Sequence, residues 1–150
     1  LDIEISRATI KDVEQLATLF NEYRIFYKQL SDVLRAQQFL ADRIQLEQSI
    51  IFKAIKPESS KMIAFTQLYP IFSSVSMKKA FILNDLYVIE SDRGQGVAEL
   101  LLDRAKTYAL ENGAKGLELS TACDNAIAQR LYERNGYEKD ETYFHYYLTL

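Results

Sequence analysis

The chain has 150 residues, 48% of them hydrophobic and 26% charged, with a formal net charge of -3 and an isoelectric point near 5.3. That length and mixture fit one soluble globular domain, and the weak acidic excess argues against a general nucleic-acid binder, which needs a concentrated Lys/Arg surface. Cys123 and His145 are each the sole residue of their type, so an intrachain disulfide and a Cys/His zinc site are both excluded.

Residues 3–7 alternate apolar and polar side chains and predict a short strand, after which Thr9 caps a helix starting near Ile10. Val13, Leu16, Ala17, Phe20, Tyr23 and Tyr27 recur at helical spacing and form one apolar stripe. Ser31-Asp32 offers a second cap, and Ala36, Phe39, Leu40 and Ile44 mark a second amphipathic helix to about Glu47. Strand grammar follows: 50–55, a turn at Pro57-Glu58-Ser59-Ser60, then 61–72 and 79–89, an antiparallel meander.

A long helix is expected to open in the segment 93–98 and to end at Gly113. Residues 117–121 read as a buried strand, 125–135 as a helix closed by Gly136, and 143–150 as an aromatic-rich final strand. The order strand, two helices, three strands, helix, strand, helix, strand predicts an α/β sheet, antiparallel in its first half, with a parallel crossover between 79 and 121. No linker divides it, so 1–150 is expected to be one domain. A sequence that opens on Leu1 reads as one trimmed at its start, and no leader-like segment or run of ~20 apolar residues occurs in it, which points to a cytoplasmic protein off the membrane.

Two segments carry chemistry. Arg93-Gly94-Gln95-Gly96-Val97-Ala98 follows an apolar strand and opens a helix. Unpaired N–H groups and the helix dipole make such a start attractive to an anion, and glycines let a pyrophosphate approach the backbone. No Lys-Ser/Thr follows the glycines and the three-glycine dinucleotide spacing is missing, so kinase and Rossmann readings fall away. By itself the segment is equally readable as a plain loop turn. The second segment places Asn125, Ala128 and Tyr132 on one helix face, with Ile127 and Leu131 facing elsewhere to pack on the sheet.

Together these segments resemble the GNAT superfamily of N-acetyltransferases. Its donor loop has the pattern Arg/Gln-x-x-Gly-x-Gly/Ala, matched at Arg93, Gly96 and Ala98. Its next motif, Asn-x-x-Ala-x-x-Leu-Tyr-x-x-x-Gly-Phe/Tyr, is matched at Asn125, Ala128, Leu131, Tyr132, Gly136 and Tyr137. The resemblance implies a mixed, mostly antiparallel sheet splayed between its fourth and fifth strands, with helices on both faces. It implies acetyl-CoA as co-substrate, no metal, and direct transfer of the acetyl group to a primary amine of a small molecule or an exposed lysine.

Carried over residue by residue, Leu86, Tyr87 and Val88 line the pantetheine arm, and an N–H near Val88 polarises the thioester. The amides of Arg93, Gly94, Gln95, Gly96, Val97 and Ala98 hold the pyrophosphate. Asn125 and Ala128 belong to the donor site, and Tyr132 protonates the departing thiolate. By residue type alone Tyr132 also fits a core aromatic, and Asn125 a helix N-cap.

The proton of the incoming ammonium needs an acceptor, for which Asp85 is the candidate. Some polyamine-type relatives carry a carboxylate where this chain has Asn84. Strand alternation is expected to send Asn84 and Asp85 to opposite faces. That departure also motivates a rival reading, a CoA-binding sensor or interaction module without catalysis. Tyr23, Phe26, Tyr27, Asn84 and Tyr143, with Tyr69, Phe72 and Tyr146, are acceptor-pocket candidates that fit a core or a homodimer interface as well. Cys123 is expected to be a small buried residue rather than an acyl carrier, and His145 structural or exposed.

Overall fold

The computed structural model describes residues 2–150. These fall into two compact units, one running up to Ser120 and the other spanning Thr121–Leu150.

The first unit is built on a five-stranded sheet in the order β1-β2-β3-β4-β5, formed by β1 (Glu4–Arg7), β2 (Ile50–Lys56), β3 (Lys61–Ser73), β4 (Lys78–Val88) and β5 (Leu117–Glu118). Neighbours from β1 to β4 pair antiparallel, and β4 and β5 pair parallel. Turns at 57–60 and 74–77 close the two hairpins of the meander. The β4–β5 ladder has only two register pairs, Phe81 with Leu117 and Ile82 with Glu118. Beyond them the fourth and fifth strands no longer pair, which is the expected splay. Here β5 is shorter than the sequence predicted, and its two residues are not buried.

Helices lie on both faces of this sheet. The Thr9 hydroxyl accepts from Lys11 N–H, and the Thr9 N–H donates to Asp12, so a capped 3-10 turn at Ile10–Asp12 leads into α1 (Val13–Phe26). The Asp32 carboxylate caps α2 (Val33–Gln45) by accepting from Arg35 N–H. Leu16, Ala17, Leu19 and Phe20 of α1 and Ala36 and Leu40 of α2 bury against Ile51, Met62 and Phe65 of the sheet. On the opposite face α3 (Val97–Glu111) sets Tyr108 edge-on to Phe52 and Phe81, and its Leu101 and Ala105 are fully buried. Gly113, at a φ of 67°, ends that helix as the sequence predicted.

A β-bulge interrupts β4. Gln67 pairs with Asp85, but the next β3 residue, Leu68, pairs with Leu83, so Asn84 is an extra residue in the ladder. A bulge of this kind shifts side-chain parity by one. Phe81 therefore faces α3, whereas Tyr87, an even number of residues later, packs with Tyr23 and Phe65 on the α1 face.

The second unit contains α4 (Ala126–Arg134), capped by the Asn125 side chain, which accepts from Ala128 N–H at 3.1 Å. Gly136, at a φ of 92°, follows it. Three expectations are corrected here. Residues 143–150 form no strand, and Tyr143, Phe144, Tyr146 and Tyr147 are exposed; strand propensity without a pairing neighbour does not make a strand. Cys123 sits in a turn and is exposed, not buried. Ile127, expected to pack, is 77% exposed.

Two outcomes test this description. Leu40→Ala empties a fully buried position between α2 and the sheet and should cost about 2–5 kcal/mol in denaturant unfolding. Lys56 at the end of β2 pairs with the buried Asp92 in the 3-10 turn Glu90–Asp92, and this hydrogen bond holds the Asp92 pKa below its ordinary value. A depressed carboxylate stabilises the fold above its unfolded pKa, and that contribution is lost as pH falls through the folded value. The melting temperature of Asp92→Asn should thus lie below that of the wild type at neutral pH, with the gap closing in acid.

Candidate active site

Where β4 ends, the backbone turns outward. Ile89 N–H donates to Ile63 C=O at 2.9 Å, so residues 85, 87 and 89 spend their backbone groups on β3. By the alternation of an antiparallel ladder, the N–H and C=O of Leu86 and Val88 point to the other edge, which β5 does not cover at that level. The Val88 carbonyl accepts from Arg93 Nε at 2.8 Å, fastening the following turn to the strand end.

The turn itself is shaped by its glycines. Gly94 and Gly96 sit at φ values of 74° and 82°, which L side chains rarely adopt, and nothing lies within 4 Å of where a Cβ would stand on either. Gly96 is the N-cap of α3 and has no side chain to accept from the first-turn N–H groups. An open space above two glycines at the start of a 15-residue helix is a fitting cradle for a phosphate group. Arg93, whose amide the family resemblance assigns to the pyrophosphate, has its guanidinium turned over the rings of Phe26 and Tyr87, at 5.6 and 5.5 Å.

The bulge assembles a buried polar group on the α1 face. Asp85 is buried and accepts from Gln67 Nε2 at 2.8 Å and from Asn84 Nδ2 at 3.2 Å, and Tyr23 also hydrogen-bonds to it. Thr66 Oγ1 donates to its backbone carbonyl at 2.8 Å. Asn84 and Asp85 thus touch, against the expectation that alternation would separate them. The extra residue breaks the alternation at that point. Burial pushes the Asp85 carboxyl above its ordinary pKa, against the lowering effect of its Gln67, Tyr23 and Asn84 bonds. Nearby Tyr69 is pushed up to about 12, first by burial and then by the Asp85 charge.

Sequence reasoning missed Gln67, whose Oε1 is buried without a hydrogen-bond partner. A lone amide in the apolar run 61–72 was the available signal. Tyr23 stacks edge-on with Tyr27 and Tyr87, so these acceptor candidates are adjacent. Phe26 and Tyr27 are about half exposed, and Phe72 is largely exposed.

In the second unit, Tyr132 packs against Tyr137 with ring centroids 5.9 Å apart. Burial, then Tyr132, pushes the Tyr137 phenol up to about 12, so Tyr137 stays protonated at neutral pH. Tyr143 is 75% exposed. Among the described residues no group of three or more His, Cys, Asp or Glu is placed to hold a metal, and no helix is long and apolar enough to cross a membrane.

The profile of the Acetyltransferase (GNAT) family matches residues 13–137. The chain is 47% identical over 148 residues to the "Uncharacterized N-acetyltransferase YhfO" of Bacillus subtilis (strain 168), covering 99% of this chain and 98% of that one. The crystal structure of a "probable acetyltransferase" superposes with a TM-score of 0.94 at 41% identity, covering 98% of this chain and 97% of the other. A ribosomal-protein-alanine N-acetyltransferase from Brucella melitensis biovar Abortus 2308 superposes at 0.84 over 99% and 100% of the two chains; at 19% identity it speaks for the fold alone. With most of its length matched, and both glycine turn and tyrosine helix inside the match, the chain belongs to the Acetyltransferase (GNAT) family.

Proposed function

We propose that residues 1–150 act as one domain that transfers the acetyl group of acetyl-CoA to a primary amine by direct attack. The observation that carries this reading is the open glycine cradle at the start of α3, beside a strand end whose outward backbone groups are not paired to β5. The amides of residues 93–98 would hold the pyrophosphate, and the edge at Leu86, Tyr87 and Val88 would take the pantetheine as an added strand. Asn125 and Ala128 would bind further along the same arm. Acetyl-CoA supplies an activated acyl carbon bearing a thiol leaving group.

An ammonium is unreactive, and the acceptor must lose a proton before its nitrogen can bond to the acyl carbon. We assign that proton to Asp85. Burial raises its pKa, which narrows the gap to the amine. As the C–N bond forms, negative charge gathers on the carbonyl oxygen, where the outward N–H of Val88 would stabilise it. As the C–S bond breaks, the Tyr132 hydroxyl would protonate the sulfur. As the amide forms, the nitrogen sheds its second proton to solvent, solvent returns one to Tyr132, and the proton first taken by Asp85 is released to solvent.

Tyr132→Phe should lower kcat by about a hundredfold or more with acetyl-CoA affinity retained, read by thiol release and calorimetry. Tight acetyl-CoA binding without turnover for any amine, unaltered by this change, would instead favour a non-catalytic CoA-binding module. For Asp85→Asn, kcat should fall about a hundredfold or more, and the remaining rate should climb with pH as the free-amine fraction does. A carboxyl whose pKa is raised by folding loses stability as pH rises from its unfolded to its folded value. The melting temperature of Asp85→Asn at neutral pH should therefore equal or exceed that of the wild type. A drop in both activity and melting temperature would make Asp85 a structural group and sink its role as base.

A further inference from the structure

Beside the Asp85 group lies a hollow lined by side chains to which the proposed transfer gives no role, although the backbone of Tyr87 and Arg93 is assigned to the donor. Glu22, Ile25 and Phe26 of α1, Tyr87 of β4, and Glu90 and Arg93 beyond it surround an open space of about 490 Å³. Its walls are two aromatic rings and its rim carries two carboxylates. Among the described residues, neither Glu22 nor Glu90 is held in a side-chain hydrogen bond or an ion pair. Both charges reach Tyr87 and help to push its phenol up, behind burial as the largest cause.

The hollow already holds one cation. Arg93 places its guanidinium 5.6 Å from the Phe26 ring centre and 5.5 Å from that of Tyr87, tethered by its Nε to the Val88 carbonyl. Aromatic faces attract cations through their ring quadrupole, and a carboxylate adds Coulomb attraction. Counting Glu22 and Glu90 against Arg93 leaves the hollow with an excess of one negative charge. A space beside the guanidinium, lined by two aromatic residues and by two carboxylates in no ion pair, is suited to a second cation rather than to an apolar or anionic group.

Position gives that cation a place in the acceptor. Tyr87 and Asp85 lie on the same face of β4, two residues apart, so their Cα atoms are separated by roughly 7 Å. We propose that this hollow is a subsite for a second positive charge on the acceptor, so that the preferred acceptor is a small, flexible amine with at least two ammonium groups. The reading rests on the proposed acetyl transfer with the reacting amine near Asp85. One ammonium is deprotonated and acetylated there; the other stays charged between Phe26, Tyr87 and the two glutamates.

The test compares n-hexylamine with hexamethylenediamine as acceptors, in the wild type and in the Glu22→Gln/Glu90→Gln variant. Both glutamates are exposed, so the double variant should fold, which circular dichroism checks. The wild type should favour the diamine in kcat/KM by about tenfold, as expected for one aromatic and carboxylate-held cation. In the variant the ratio should fall toward one.

Calorimetric binding of hexamethylenediamine, weakened in the same variant, reads the subsite without turnover. Equal use of both amines by the wild type, or a preference that survives in the variant, overturns the proposal. So does turnover confined to a lysine-bearing peptide. Failure of every amine to raise turnover sinks the acetyl-transfer reading, while variant-sensitive diamine binding would still uphold the cation subsite. Absence of diamine binding alongside acetylation of n-hexylamine sinks the subsite alone.

Discussion

One extra residue in β4 decides what the later part of that strand can do. Up to Leu83 the odd-numbered side chains belong to the α3 face, where Phe81 meets Tyr108. Without the bulge at Asn84, Asp85 and Tyr87 would continue into that same apolar layer, and a carboxylate there would be buried with no amide beside it. With the bulge they turn to the α1 face, where Gln67, Asn84 and Tyr23 supply hydrogen bonds. The polar group, the aromatic cluster around Tyr23 and the hollow beyond it all depend on this shift of phase.

A second constraint acts on the other edge of the strand. Because β5 pairs with β4 over only two residues, backbone groups that a full ladder would consume remain directed outward near Val88. The chain meets the end of β4 with a short 3-10 turn pinned by Lys56 and Asp92, then with the glycine turn fastened by Arg93. Fastening at both ends of a short segment suits the donor cradle proposed for it, since donors fixed in advance need no reorganisation on binding.

Much of this was legible in the amino-acid order. The capping residues Thr9, Asp32 and Asn125 all act as read, and α1, α2, α3 and the meander lie within a few residues of their expected bounds. What escaped has a common cause. Period-two reasoning follows local pattern, and a bulge is a property of two strands in register, so the contact between Asn84 and Asp85 left no mark on alternation. Residues 143–150 have the composition of a strand, yet pairing is a relation to a neighbour, and the described residues provide none. Cys123 was weighed by residue type, although its place in the turn before α4 determines its exposure. Gln67, Glu22 and Glu90 carry no motif and gain meaning only from what stands beside them.

Arg93 stands at the join of two demands. As the first residue of the donor pattern, it occupies a position where the family pattern takes either Arg or Gln. Here its guanidinium is also, among the described residues, the only positive charge lining the hollow at Glu22 and Glu90. Exchange for glutamine would leave two uncompensated carboxylates instead of one. Under the proposed reading of both sites, one substitution inside the donor pattern would also change the charge that the hollow favours in an acceptor.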